Sequence, residues 1–256
     1  MGVVKDQSGL SVTVLGCSGT YAGPGGACSG YLVRTASTSI WMDCGAGTLA
    51  NVQRHVRLQD LDGIVVSHSH PDHWLELPVL ANALRYGVGV PDLGLPLLWT
   101  AGTAELYAAI ASDPGGTLAT RVIDEHSTAT IGDIDLSFSR TDHPVETLAI
   151  RAEHEGRSIV YTADTGNAWR LASLGPDLGR TIDLAIVEAT LDESDVDVVQ
   201  HLTASQAGRQ AAEAGVATLV LTHLAPGSDP EARRSDAARA FAGPIEVAAI
   251  DATFRA

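Results

Sequence analysis

His68, His70, Asp72 and His73 fall within six positions, in the run Ser67-His68-Ser69-His70-Pro71-Asp72-His73, directly after the apolar stretch Ile64-Val65-Val66. Imidazole nitrogens and carboxylate oxygens are the donors that hold zinc and related ions. On extended backbone alternate side chains point the same way, so His68 and His70 share a side, while the turn into a helix at Pro71 swings Asp72 and His73 to a neighbouring position. One loop can thus serve two adjacent cations. A solvated histidine-rich loop is the bland alternative. With nine histidines in 256 residues, chance rarely puts three beside an aspartate right after a buried strand.

A pair of ions needs more donors than one loop supplies, and other strand ends offer them. His143 follows the run ending near Ser139 and precedes Pro144, Asp164 sits in Ala-Asp-Thr-Gly after the run 159–162, and His223 follows the run 219–222. Singly each reads as a surface or capping residue; together, at matching strand ends, they read as ligands. His55, His126 and His154 lie in polar surroundings and are expected at the surface. His201 opens His-Leu-Thr-Ala, and Glu188 ends the run 184–187 in Val-Glu-Ala-Thr. Spacing alone leaves that pair open between a catalytic role and ordinary loop and cap roles.

To converge, these residues need several strands ending at one edge. Short β-branched runs at 10–15, 31–34 and 40–42 read as strands around a Gly/Ser-rich loop at 16–30. An amphipathic stretch covers 48–58, a buried strand 64–66, and a helix is expected from Pro71 or Asp72 through Leu84, kinked or interrupted by Pro78. Further strands are expected at 134–139, 148–153, 159–162, 184–187, 219–222 and 245–250, with helices at 204–214 and 230–241. Thr203 with Gln206 forms a capping box before the first of these helices, and Gly215 stops it. Strands with helices between and after them, and no linker-like segment, predict one α/β domain over 1–256: two sheets packed together with helices outside.

The formal charge of −15, from 16 basic and 31 acidic residues with a single lysine, leaves no polybasic tract for extended nucleic acid or an acidic membrane. No apolar run reaches the roughly 20 residues that span a bilayer. Cys17, Cys28 and Cys44 are odd in number and lack C-x-x-C spacing, which speaks against a disulfide framework and for a reducing cytoplasm. A homodimer is compatible with these features.

The motif His-x-His-x-Asp-His with the later His143, Asp164 and His223, together with Val12-Thr13-Val14-Leu15-Gly16 and Asp43-Cys44-Gly45-Ala46-Gly47-Thr48, resembles the metallo-β-lactamase superfamily over nearly the whole chain. That resemblance implies an αββα sandwich with a dinuclear site at one edge. It implies His68, His70 and His143 on one ion, Asp72, His73 and His223 on the other, Asp164 bridging, and Asp43 supporting the histidine loop. The lactamases proper usually carry Cys where Asp164 stands, which disfavours antibiotic hydrolysis. Ala-Asp-Thr-Gly, Glu-Ala-Thr at 188–190, His-Leu-Thr-Ala at 201–204 and Leu-Thr-His at 221–223 resemble the ribonuclease Z branch and imply that Glu188 and His201 are catalytic, alongside Asp72. Leu15-Gly16-Cys17-Ser18-Gly19, Ser29-Gly30-Tyr31-Leu32 and Asp251-Ala252-Thr253-Phe254 look most like the atypical class II cyclic-nucleotide phosphodiesterases of actinobacteria. Ribonuclease Z inserts a long basic arm between its third histidine and its bridging aspartate. Here 20 residues separate His143 from Asp164, enough for two strands and a turn, and Arg151 and Arg157 are their only basic residues.

The implied cofactors are two divalent ions, zinc first with manganese or iron as alternatives. With Asp72, Asp164 and one bridging hydroxide they leave a formal charge of about +1, which suits an anionic diester. The expectation is a phosphodiesterase acting on a small cyclic nucleotide such as 3′,5′-cAMP, or a similar small diester, by a dinuclear zinc-activated hydroxide, with His201 protonating the departing alkoxide. The rivals are a tRNA 3′-processing endonuclease, an ester, thioester or lactone hydrolase that would not need His201, and a non-catalytic metal-stabilised binding protein.

Overall fold

The computed structural model describes residues 9–111, 115–196 and 198–256. In chain order its strands are β1 (Ser11–Gly16), β2 (Gly30–Arg34), β3 (Ser39–Met42), β4 (Gly63–Val66), β5 (Leu95–Trp99), β6 (Leu118–Val122), β7 (Thr128–Ile131), β8 (Ile134–Arg140), β9 (Leu148–His154), β10 (Arg157–Tyr161), β11 (Leu184–Glu188), β12 (Thr218–Thr222), β13 (Ile245–Val247) and β14 (Thr253–Arg255). The α-helices are α1 (Thr48–Val52), α2 (Leu77–Asn82), α3 (Ala101–Ile110), α4 (Ala204–Glu213) and α5 (Pro230–Ala237). One sheet is ordered β14-β1-β2-β3-β4-β5-β6 and the other β13-β12-β11-β10-β9-β8-β7. Each sheet passes from antiparallel pairs to parallel ones, at β3 in the first and β10 in the second.

Period-two alternation explains the layers. In β10 and β11, Ile159, Tyr161, Leu184 and Ile186 face the space between the sheets, while Val160, Ala185 and Val187 face the helices outside. Val12, Val14, Ile40, Met42 and Val65 of the first sheet fill the same central layer. On that sheet's outer side Trp41, Ile64 and Val66 meet Leu77, Leu80 and Leu84. Truncating a central leucine such as Leu184 to alanine would cost about 2–5 kcal/mol. The result is the expected α/β sandwich with helices on both outer faces.

Several expected elements differ in extent. The segment after His70 is one 3₁₀ turn at Pro71–His73, then a break, then α2, so Pro78 lies in the first turn of α2 and starts a helix instead of kinking one. The stretch 48–58 is α-helical only at Thr48–Val52, and the strand expected at 245–250 ends at Val247. The α4 capping box is present in both directions, with Thr203 and Gln206 exchanging side-chain and backbone bonds. His55 and His154 are part-buried instead of free at the surface, His55 on Asp251 and His154 on the Asp133 carbonyl, while His126 is exposed.

Candidate metal centre

The site residues leave the sheets at one edge. His68, Asp164 and His223 follow β4, β10 and β12, Glu188 ends β11, and His143 lies between β8 and β9. Asp43, Ala163 and His223, just past the ends of β3, β10 and β12, hold left-handed backbone with φ of 55°, 51° and 54°. Non-glycine residues adopt that region only under constraint from their surroundings. At Asp43 the constraint is visible: its buried carboxylate accepts from Ser67 N at 2.8 Å, Ser67 Oγ at 2.9 Å, His73 Nδ1 at 2.7 Å and Tyr161 Oη at 2.9 Å. Tyr161 reaches it from the opposite sheet. In the sequence it reads as one more core residue, so this support was not legible there.

The proton inventory fixes the histidine tautomers. The Ser67 hydroxyl donates to Asp43 and therefore accepts from His68 Nδ1, 3.0 Å away. His143 Nδ1 donates to the Gln200 carbonyl at 3.1 Å. Thr190 Oγ1 donates to Glu188 Oε2 at 2.9 Å and accepts from His223 Nδ1 at 2.8 Å. With His73 donating to Asp43, four imidazoles spend Nδ1–H outward, and each, as a neutral ring, turns a bare Nε2 inward. His73 Nε2 and His223 Nε2 then face each other at 3.4 Å, and His143 Nε2 faces His70 Nδ1 at 3.0 Å. The facing lone pairs of His73 and His223 repel unless a cation lies between them.

Asp164 stands between the two groups. Its Oδ1 is 3.3 Å from His73 Nε2 and 3.5 Å from His223 Nε2, and its Oδ2 is 3.6 Å from His68 Nε2 and 3.8 Å from His143 Nε2. Buried His68 Nε2 and Asp164 Oδ1 take no hydrogen bond at all. Orphaned buried acceptors are costly, and a divalent cation satisfies the nitrogen and the oxygen lone pairs at once. His68, His70, His143 and Asp164 can offer ligand atoms within 4.8 Å of one another, and so can Asp72, His73 and His223. Every ligand expected from the sequence is therefore brought to one place. Asp164, His201 and His223 form a third such grouping.

Electrostatics follow the same division. Burial and the neighbouring His73 hold His68 well below the ordinary imidazole range, and burial also lowers His70 and His143. Burial opposes ionisation of Asp72, but the His223 and His73 imidazoles beside it outweigh that and keep the carboxyl well below the usual range. Asp72 Oδ2 also accepts from Thr20 N at 2.9 Å. The close approach of that loop requires Gly19, where a Cβ would lie 2.6 Å from the His223 carbonyl oxygen.

His201 and Glu188 meet at 2.7 Å through Nδ1 and Oε1. The His201 ring lies 5.2 Å from that of His143 and 5.5 Å from that of His223. Burial pulls its pKa down, but the bond to Glu188 and that carboxylate's charge push it up to about 9. Glu188 is fully buried and also accepts from Thr165 N, Thr190 N, Thr190 Oγ1 and Leu202 N, so only donors surround it.

Residues 38–224 match the model of the beta-lactamase superfamily domain. An uncharacterised protein of Mycobacterium tuberculosis is 34% identical, over 96% of this chain and 92% of its own length. The probable metallo-hydrolase YhfI of Bacillus subtilis is 30% identical over 93% of this chain and 97% of its own. Its crystal structure aligns with a TM-score of 0.86 at 27% identity, covering 96% of this chain and 99% of that one. A ribonuclease Z of Mycolicibacterium paratuberculosis is 30% identical over 93% of this chain and 95% of its own. The chain belongs to the beta-lactamase superfamily and is a metallo-hydrolase.

Proposed function

We propose that this metallo-hydrolase is a phosphodiesterase acting on a small cyclic nucleotide or a similar small anionic diester. The observation that carries the reading is the His201–Glu188 pair, an imidazole held at 2.7 Å by a buried carboxylate beside Asp164 and the inward-facing histidines, with its pKa pushed up by that carboxylate. An alkoxide leaving group needs a proton in the transition state, and a positioned imidazolium delivers it. In this reading His68, His70 and His143 would hold one divalent ion and Asp72, His73 and His223 a second, with Asp164 placed to serve both. When bound, such ions, zinc by donor type with manganese or iron as alternatives, supply a water-derived nucleophile near neutral pH and offset phosphate charge. Asp72, ionised and fixed by Thr20 N, orients the attacking water by accepting its hydrogen bond. His201 Nε2 gives its proton to the departing oxygen, and Glu188 keeps Nδ1 protonated throughout.

A small substrate is favoured over transfer RNA by what lies between His143 and Asp164. That segment is the short hairpin β9–β10. Its two arginines are engaged: Arg151 is buried on Glu153 and the Leu174 and Thr181 carbonyls, and Arg157 pairs with Asp183 at 2.6 Å. Gripping an extended backbone needs free cations. Among the described residues no helix is long and apolar enough to cross a membrane. A substrate in the cytoplasm completes the proposal. The test is a turnover screen of the metal-reconstituted protein on 2′,3′- and 3′,5′-cyclic nucleotides, precursor tRNA and simple lactones. The highest kcat/KM is expected on a cyclic nucleotide; a lactone as best substrate would overturn the reading.

A further inference from the structure

The loops that carry the centre continue outward to line a cleft of about 450 Å³, formed in part by Asp142, Gly166, Asn167, Val198, Val199 and Gln200. Each lining segment adjoins a residue of the centre: Asp142 precedes His143, Gly166 and Asn167 follow shortly after Asp164, and Gln200 precedes His201. The Gln200 carbonyl accepts from His143 Nδ1, while His143 Nε2 faces the centre. One imidazole ring therefore separates the cleft from the reacting position. The non-reacting part of a substrate whose phosphate lies at the centre would reach the cleft by passing over the His143–Gln200 contact.

The walls combine two chemistries. Val198 and Val199 are 71% and 50% exposed and present branched apolar surface suited to the face of a planar ring. Asp142 Oδ2 accepts from Ala168 N at 3.1 Å, and no described residue donates to Oδ1 or bonds the Asn167 amide. A Cβ on Gly166 would lie 2.4 Å from Asp142 Oδ2, so the turn after Asp164 closes on this carboxylate and fixes it. A carboxylate only accepts, so it selects N–H donors and repels lone pairs, whereas an amide offers one of each. Among planar heteroaromatic groups, adenine, guanine and cytosine present an amino group at the edge, and uracil and thymine present carbonyl oxygen there.

We infer that this cleft is a subsite for a nucleobase carrying an exocyclic amino group, held over Val198 and Val199 and read by Asp142 and Asn167. The inference deepens the phosphodiesterase reading and rests on it for its catalytic meaning. Asp142→Asn keeps the shape and turns an acceptor into a mixed donor and acceptor. Asn167→Ala removes an exposed amide that no described residue bonds, so this variant leaves the fold's own hydrogen bonds intact.

The experiment measures kcat/KM of the full-length, metal-loaded wild type and both variants on 3′,5′-cyclic AMP, 3′,5′-cyclic UMP and bis(4-nitrophenyl) phosphate. The wild type is expected to prefer the adenine substrate by about 10- to 100-fold, the range of one charge-assisted hydrogen bond. Asp142→Asn should bring that ratio to about 1 or below, and Asn167→Ala should reduce it by about threefold or more. Both should lower the ratio of cyclic AMP to aryl diester turnover. Equal wild-type rates on the two cyclic nucleotides, or a preference unmoved in Asp142→Asn, would overturn the inference. If no diester is turned over, the phosphodiesterase reading fails by itself, and the subsite is judged by ligand-observed NMR with adenosine and uridine. Adenosine-selective binding lost in Asp142→Asn then supports the subsite, and no adenosine binding overturns it.

Discussion

Replacing His201 by alanine separates proton donation from every other role this histidine could play. The variant should fold, because Glu188 keeps its bonds from Thr165 N, Thr190 N, Thr190 Oγ1 and Leu202 N when the imidazole is removed. Glu188 pushes the His201 pKa up to about 9, which favours the protonated form at pH 7. A positioned general acid contributes about 10² to 10⁴ in rate, and only where the leaving group needs the proton. His201→Ala should therefore lower kcat on a cyclic nucleotide by about 10² or more, yet lower kcat on a nitrophenyl diester by less than about tenfold, since nitrophenolate leaves unaided. The sign of the pH effect follows from the raised pKa. The competent, protonated form is present below about 9 and lost as pH rises through it, so wild-type turnover of the cyclic nucleotide should fall there and the variant should lack that limb. The assay is steady-state kinetics on both substrates from pH 6 to 10, with bound metal measured on the same samples. Equal losses on both substrates would refute proton donation. Metal loss in the variant would instead make His201 a ligand, as its grouping with Asp164 and His223 allows.

Other perturbations read the same geometry. Asp164→Ala should weaken metal binding throughout the centre, because its two oxygens face different histidine pairs, whereas His223→Ala should lose about half the bound metal by elemental analysis. Thr190→Val breaks the hydrogen-bond chain from His223 to Glu188 and should weaken metal binding by about 10- to 100-fold, with Thr190→Ser restoring it in a chelator competition. Glu188→Gln should lower the melting temperature as well as turnover, since an amide N–H₂ would meet N–H and O–H donors where a carboxylate accepts them, at about 1–3 kcal/mol. Precursor tRNA should be cut with lower kcat/KM than a cyclic nucleotide. The reverse order would show that the missing basic arm is dispensable.

The centre was legible because its donors are types that seldom cluster by chance. His68, His70, Asp72 and His73 announce themselves in one loop, and His143, Asp164 and His223 follow runs that read as strands. The supports were not legible. Tyr161 and Thr190 matter through hydrogen bonds across sheets and loops, and nothing in their local sequence separates them from ordinary core and turn residues. The elements missed lie mainly at the margins of the sheets, with the buried strand β5 inside the first sheet as the exception. β6 is exposed along most of its length, β14 has three residues, and β7 runs along an edge with polar residues between its apolar ones. Helix α3 is rich in alanine and lacks a strong apolar stripe, leaving no clear 3.6-residue signal. The histidine loop also misled at one point: Pro71 and Pro78 both read as features of one helix, yet each opens a separate helical turn.

The central claim is that the converging histidines and Asp164 hold two ions that act together on a phosphodiester. It is tested most directly by titrating zinc into metal-free protein while following 3′,5′-cyclic AMP hydrolysis and bound metal in the same samples. Turnover should rise with bound metal and saturate at about two ions per chain, as two ligand groups sharing one carboxylate require. Full activity at one ion per chain, or two ions bound with no hydrolysis, would contradict it.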